Sequence, residues 1–388
     1  MIKTKFLVAF LILHLVLMLF SVAIDLNVIL SACMVLYISA LLVLGSKVGA
    51  VASVNNNSLS KEVSLARRML PWVIGFSLLL FVLKWLVYID DADFSSYSTF
   101  RISFLVRSHG LIGIGLQVSL WLGLIFSGVL VADKIQSPEY KFDIADLYFF
   151  VAIMLALFLS GSRSVVLLFF AGFISHIKNF RFLFKPKIII YLCCSLSVLL
   201  YVLGEVRGIS ISHRLIPWDS FVVGPHLLAH NMDVIAGQTI YLDKISEPPP
   251  GVALFSGLYV GLNILFSYLD VEVFRYHLER VFWARHQFDF ISAFDNEYNS
   301  YYTAGLAVVI EGWLTVGLMA FFMGLTGHYF RFSFSRLVYP AALYYFALCL
   351  FRVSVFQNIA LSMLVFIVVL IEVVGWVYSL YLMFREKY

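Results

Sequence analysis

The sequence predicts an all-α polytopic membrane protein with about ten transmembrane helices and one large extracytoplasmic loop containing amphipathic helices. Three observations predict this. Of 388 residues, 62% are apolar and only 13% charged, against about half and about a quarter in soluble domains. The apolar residues fall in runs close to the length of about 20 that a bilayer crossing needs. The four cysteines, Cys33, Cys193, Cys194 and Cys349, lie inside those runs as small core residues, not as a disulfide framework or metal site.

In chain order, the runs are Phe6–Ile24, Leu26–Gly45, Met69–Ile89, Leu111–Ala132, Leu147–Ser160, Val165–Ile177, Ile188–Gly204, Ala304–Gly327, Leu337–Phe351 and Ile359–Met383. The first follows Lys3 and Lys5 as a signal peptide would. Its long core, lacking a convincing small-residue cleavage site, instead predicts an uncleaved helix. The organisation expected is an N-terminal bundle over 1–204 (about seven helices), a loop over 205–303, and about three helices over 304–388.

Basic residues orient this layout. With the N-terminus inside, the inner segments hold 16 Lys plus Arg, at least two in each, as the positive-inside bias requires. Both termini are then cytoplasmic. Ten bases fall outside, six of them in the long loop, where they determine topology poorly. Phe, Tyr and Trp supply rings for interfacial belts.

The loop from Glu205 to Thr303 carries 11 carboxylates and six bases, with amphipathic stretches around Phe221–Ile235 and Val271–Phe288. A Pro-rich turn, Glu247–Gly251, separates them. The apolar stretch Val252–Leu269 fits a re-entrant or interfacial helix; a further crossing would put the basic C-terminus outside. Loops this long within a bundle are usually functional.

Charge type differs between the sides. Inner segments contain ten Lys and six Arg, whereas the outer side has nine Arg and only Lys244. A guanidinium fork matches two oxygens of phosphate or carboxylate and cannot lose its charge. The set therefore points to an anionic ligand such as a lipid pyrophosphate, although any single arginine can also pair with a loop carboxylate. Arg163, in Gly161-Ser162-Arg163-Ser164 between two short runs, is placed to line a polar cavity below the outer interface, and an ionisable group at such depth marks a functional site. Snorkelling to headgroups is the alternative. Arg352, followed by Gln357 and Asn358, has a similar position. For Lys84, one to two turns below the outer end of its helix, snorkelling fits equally well.

Five histidines, His213, His226, His230, His277 and His286, lie in the loop. His226, His230 and Asp233 have ligand-like spacing but no second cluster, so no metal is expected. A histidine general base is the better reading, since imidazole accepts a proton near neutral pH. His213 directly precedes Arg214, and Glu279 directly precedes Arg280. Such neighbours suit deprotonation of a hydroxyl beside an anionic leaving group. Asp90-Asp91-Ala92-Asp93 reads as a solvated, topology-marking cap before it reads as a cation site. Walker, dinucleotide and HExxH patterns are missing, which leaves nucleotide-driven and zinc-protease chemistry without support.

Several stretches carry a family resemblance. Gly161-Ser162-Arg163-Ser164 is similar to an arginine-bearing turn between central helices. Arg207-Gly208 opens the major loop after a span. Phe274–Phe282, with Glu279-Arg280 in it, resembles a loop helix bearing an acid–arginine pair. Tyr301-Tyr302-Thr303, followed by Glu311-Gly312 and Gly317, is similar to a tyrosine–threonine lead into a glycine-bearing span. Together these resemble the O-antigen polymerase (Wzy-type) family and, more distantly, the O-antigen ligases. An asparagine that usually stands two before the tyrosine is replaced here by Ser300, with Asn299 one residue away.

The resemblance implies a metal-independent glycosyltransferase, without cofactor, at the periplasmic face of a bacterial inner membrane. Its implied substrates are undecaprenyl-diphosphate-linked glycan donor and acceptor. The implied partners are the bilayer, a chain-length regulator and a flippase, with no nucleic acid. Arg163, Arg207, Arg214, Arg280 and Arg352 would bind diphosphate, His213 or Glu279 would act as base, and Tyr302 would orient sugar or phosphate. The rival readings are an O-antigen ligase, a polyprenyl-monophosphate-dependent glycosyltransferase using Asp90-Asp91, and a flippase of lipid-linked oligosaccharide. Against the flippase, the chain shows no clear internal repeat of the kind alternating access uses.

Overall fold

The computed structural model describes residues 3–9, 12, 26–52, 59–95, 97–106, 110–136, 144–160, 165–178, 255–267, 308, 311–349 and 359–385. Among the described residues all regular structure is helical. The main helices are α1 (Leu26–Ala52), α2 (Leu59–Tyr88), α3 (Gly110–Gln136), α4 (Ile144–Ser160), α5 (Val165–His176), α6 (Ser256–Ser267), α7 (Trp313–Thr326), α8 (Ser333–Cys349) and α9 (Ile359–Arg385). Among the described residues four stretches are long and apolar enough to cross a membrane: Cys33–Val51, Ser60–Asp91, Gly110–Gln136 and Ala360–Met383. Helices suit that role because all their backbone polar groups are satisfied internally, with no water to help.

The helices group into two compact units, one of Met1–Ser58 with Phe221–Tyr388 and one of Leu59–Ser220. In the second unit α3 is central, packed by α2, α4 and α5. Helix direction follows from paired contacts. Ser77 on α2 donates to Ser119 on α3 at 2.9 Å, while Gly115 faces Leu80 and Gly123 faces Val73 and Ala152. So α2 and α3 run antiparallel. Ser127 on α3 donates to the Phe149 carbonyl at 3.4 Å, making α4 antiparallel to α3 as well. Gly128 and Gly172 mark the point where α3 and α5 cross in backbone contact, and Gln136 at the end of α3 donates to the His176 carbonyl at the end of α5 at 3.3 Å, so α5 runs parallel to α3. A Cβ at Gly172 would sit 2.7 Å from the Ile125 carbonyl oxygen. In apolar surroundings helix association rests on such close backbone approach, since lipid offers the side chains nothing worse than protein does.

The first unit is built on α1 against α7, with α8 and α6 packed on α9. The α1–α7 pair is parallel. Tyr37 donates to the Trp313 carbonyl at 2.8 Å near one end, and Ser46 lies 3.2 Å from His328 Nε2 at the other. Between them Gly45 abuts the Phe321 carbonyl and Gly324 abuts the Leu42 carbonyl. The chain turns from α7 into α8, and Tyr339 of α8 reaches back to donate to the Met323 carbonyl at 2.8 Å. That turn is fastened to α9. The Glu372 carboxylate, 3% exposed, accepts from the Arg331 N–H at 3.0 Å and the Phe332 N–H at 2.9 Å. Beside it the Arg331 guanidinium lies 3.9 Å from the Trp376 ring centroid, and Gly375 admits the Phe332 ring.

Some boundaries differ from expectation. α2 begins at Leu59, ten residues before the apolar run Met69–Ile89, because the polar stretch Ser60–Arg68 is made of good helix formers; Pro71 is accommodated inside it. The expected span Ala304–Gly327 is interrupted at Gly312, whose φ of 84° only glycine adopts freely, so α7 starts at Trp313. α6 covers only Ser256–Ser267, about 18 Å of helix, short of the roughly 30 Å hydrocarbon core.

Candidate functional site

The end of the second unit where α2 stops gathers the most chemistry among the described residues. Because α3 and α5 run opposite to α2 and α4, the ends of α2 and α4 and the starts of α3 and α5 meet here. After α2 a 3-10 turn, Ile89–Asp91, leads to a short helix, Tyr97–Phe100, that widens into a π-helix over Arg101–Val106. π-Turns of this kind recur at functional sites. The π-helix contacts both the 3-10 turn and α4. It closes the end of the unit over Lys84.

Of the two readings open for Lys84, the structure excludes snorkelling. Lys84 is 1% exposed; its ammonium donates to the Leu105 carbonyl at 3.3 Å and lies 5.2 Å from the Phe104 ring centroid. Leu105 stands in the last turn of the π-helix, where carbonyls lack intrahelical donors and are open to a side chain. The quadrupole of Phe104 presents negative charge to the cation. Burial of this order is costly for an ammonium and is the reason to regard Lys84 as more than an anchor.

From Phe104 a column of rings leads outward. Phe104 stacks on Phe100 at 5.4 Å and 16°, and Phe100 stacks on Phe94 at 5.1 Å and 20°. Trp85 meets all three edge-on or tilted, 5.7 to 6.5 Å away. The loop that holds Phe94 is clipped at Asp93. Its N–H donates to Ser103 Oγ at 2.9 Å, and its carboxylate accepts from the Ser95 N–H at 2.8 Å. That N–H, with the Ser95 hydroxyl, holds the Asp93 carboxyl below its ordinary value of 3.8. Asp93 is therefore a structural clip, as the capping reading of Asp90–Asp93 expects, while Asp90 and Asp91 stand exposed beside it.

The opposite end of this unit holds a second polar cluster. Buried His176 at the end of α5 faces buried Glu62 in the first turn of α2, Nε2 to Oε2 3.6 Å. Each sits where its helix terminus favours its charge. Gln136 ties α3 to this corner, accepting from the Lys178 N–H at 2.6 Å and donating to the His176 carbonyl at 3.3 Å.

Sequence reasoning named eight site residues. Arg163, Arg207, His213, Arg214, Glu279, Arg280, Tyr302 and Arg352 all lie outside the described residues. So do His226, His230 and Asp233. What is described of their setting is that α4 ends at Ser160 and α5 begins at Val165, both at the end that carries Lys84, with Arg163 in the four-residue link. Among the described residues no group of three His, Cys, Asp or Glu is placed to hold a metal. The ring column and the Glu372 clamp were missed from sequence. Glu372 had a signal, as Lys84 did, since a lone ionisable residue inside an apolar run is legible as such; the ring column had none. No family model, no curated protein and no solved structure matches the chain.

Proposed function

We propose that the protein is a polytopic glycosyltransferase of a bacterial inner membrane that polymerises undecaprenyl-diphosphate-linked oligosaccharide repeat units into O-antigen or a similar surface polysaccharide. About ten crossings place both termini in the cytoplasm and the loop 205–303 in the periplasm. The helix directions within each unit support this layout. Strict alternation makes α1, α3, α5, α7 and α9 run inward and α2, α4 and α8 run outward. The parallel pairs α1–α7 and α3–α5 and the antiparallel pairs α2–α3 and α3–α4 agree with it.

The observation that carries the reading is the end of the second unit where the link bearing Arg163 leaves α4 for α5, the same end at which a buried ammonium and a ring column meet. With the basic-residue bias, that end faces the periplasm. In the reaction the acceptor hydroxyl oxygen attacks the anomeric carbon of the donor glycan. The bond from that carbon to the undecaprenyl diphosphate oxygen breaks, and the hydroxyl proton passes to His213 or Glu279. Arg163, Arg207, Arg214, Arg280 and Arg352 neutralise the departing diphosphate, and Tyr302 orients sugar or phosphate. Fixed cations are the strongest aid for such a leaving group, because they need no rearrangement as its charge develops.

A lipopolysaccharide banding gel on a deletion strain tests this. Without the protein the ladder should collapse to core bearing one repeat unit. Wild type should restore it, and Arg163→Ala at equal expression should lose about 100-fold or more in polymerisation rate, comparable to loss of one oxyanion-hole donor. Loss of every attached repeat unit would indicate a ligase or a flippase instead.

A further inference from the structure

The column Phe104–Phe100–Phe94 has two unlike ends. Its inner end is capped by the buried Lys84 ammonium. Its outer end is Phe94, 59% exposed, held by the Asp93 clip in a loop that has little else to bury. A ring stacked on one face, fixed in orientation and left open towards solvent is a platform for a flat, partly apolar ligand. The rim selects which one. Asp90 and Asp91 are exposed within four residues of Phe94, and such carboxylates accept from hydroxyls but repel phosphate and anionic headgroups. An apolar face edged with hydroxyl donors is the surface of a pyranose ring, whose C–H groups lie on aromatic rings and whose hydroxyls reach carboxylates.

We propose that Phe94 and its acidic rim form a sugar subsite of this protein, taking an uncharged sugar of the glycan while the anionic carrier is held elsewhere. This rests on the proposed glycan substrate and adds which residues grip the sugar rather than the diphosphate. Phe94 is then a binding residue for sugar, and Lys84 and Phe104 are positioning residues that fix the column beneath it.

Trp85, 6.1 Å from Phe94, is a built-in reporter. The full chain in nanodiscs is titrated with the oligosaccharide of the parent strain, released from its lipid carrier by mild acid and dephosphorylated. Emission is compared with Trp85→Phe to isolate this indole. A saturable change is expected, about three- to tenfold weaker in Phe94→Leu, the loss of one good ring contact. Leucine keeps apolar bulk at the interface but offers no flat face, and the ring is exposed enough that folding does not depend on it. Asp90→Asn with Asp91→Asn should weaken binding as well. Unchanged affinity in Phe94→Leu overturns the subsite. So does a Trp85 response to phosphatidylglycerol vesicles or inorganic pyrophosphate but not to the oligosaccharide, which would assign the ring to a lipid belt. The two readings fail separately. A wild-type ladder in cells carrying Phe94→Leu, with no Trp85 response, removes the subsite and leaves the polymerase. A Trp85 response in a protein whose deletion spares the ladder keeps the sugar site and removes the polymerase.

Discussion

Glu372 illustrates how a single carboxylate in an apolar helix is tolerated. Its two oxygens accept the Arg331 and Phe332 N–H groups at the start of α8, donors that a helix N-terminus leaves unsatisfied. Glu372→Ala removes both acceptors and should destabilise the protein by about 3 kcal/mol, while Glu372→Gln, which keeps one acceptor, should lose about half of that. Thermal unfolding in detergent reads the difference; equal losses would show that charge, not acceptance, matters. His328, in the turn after α7, is a second case. Burial, then the N-terminal ammonium, pushes its pKa down from 6.5 to about 4. Between those values the unfolded chain binds the proton and the folded one does not, so stability should fall as pH drops from about 6.5 towards 4. His328→Gln should flatten that dependence in a melting series from pH 7 to pH 4.5. Both residues are visible in the sequence as isolated polar groups beside apolar runs. Their partners were not visible, because Arg331 and Ser46 reach them only through the packing of separate helices.

Among the elements, glycines set the spacing. Gly128 and Gly172 bring α3 and α5 to backbone contact, as Gly45 and Gly324 do for α1 and α7. Gly128→Leu should cost about 3 kcal/mol or more, since a backbone carbonyl cannot move aside. Gly75, with nothing within 4 Å of a Cβ, is the control. Gly75→Ala should be neutral or stabilise by up to about 1 kcal/mol through helix propensity. A melt in which the two variants behave alike would remove the close-packing account. Hydropathy located these helices well, because lipid demands long apolar runs whatever they pack against. It placed their ends less well. Where polar residues continue a helix, as in Ser60–Arg68 before α2, or where a glycine turns it, as at Gly312, the backbone follows local propensity and conformation that a hydropathy window averages away. The ring column escaped notice for a related reason. Phe94, Phe100 and Phe104 are ordinary belt residues until a π-turn brings them into one stack.

At the scale of the molecule, the all-helical membrane reading holds for the described residues, four stretches of which are long and apolar enough to cross a membrane. The functional reading depended instead on arginines in the connecting segments, and there composition shows which chemistry is available but not how it converges. The structure adds only that the helices flanking the link with Arg163, ending at Ser160 and starting at Val165, meet at the Lys84 end of the second unit.

The parallel contact of α1 with α7 also has a consequence for biogenesis. Leu42 and Gly324 are neighbours in space but are separated by most of the chain. The second unit draws its described helices from a continuous stretch and can be complete while the ribosome is still translating. α1 cannot. It enters the bilayer among the earliest segments and must wait for α7, its glycine-lined flank bare to lipid and open to membrane chaperones and proteases. Chains halted before residue 304 should therefore yield a protease-resistant fragment from the second unit while α1 is degraded. Restoring residues 304–388 as a separate polypeptide should rescue α1, and pulse-chase proteolysis in cells would follow both.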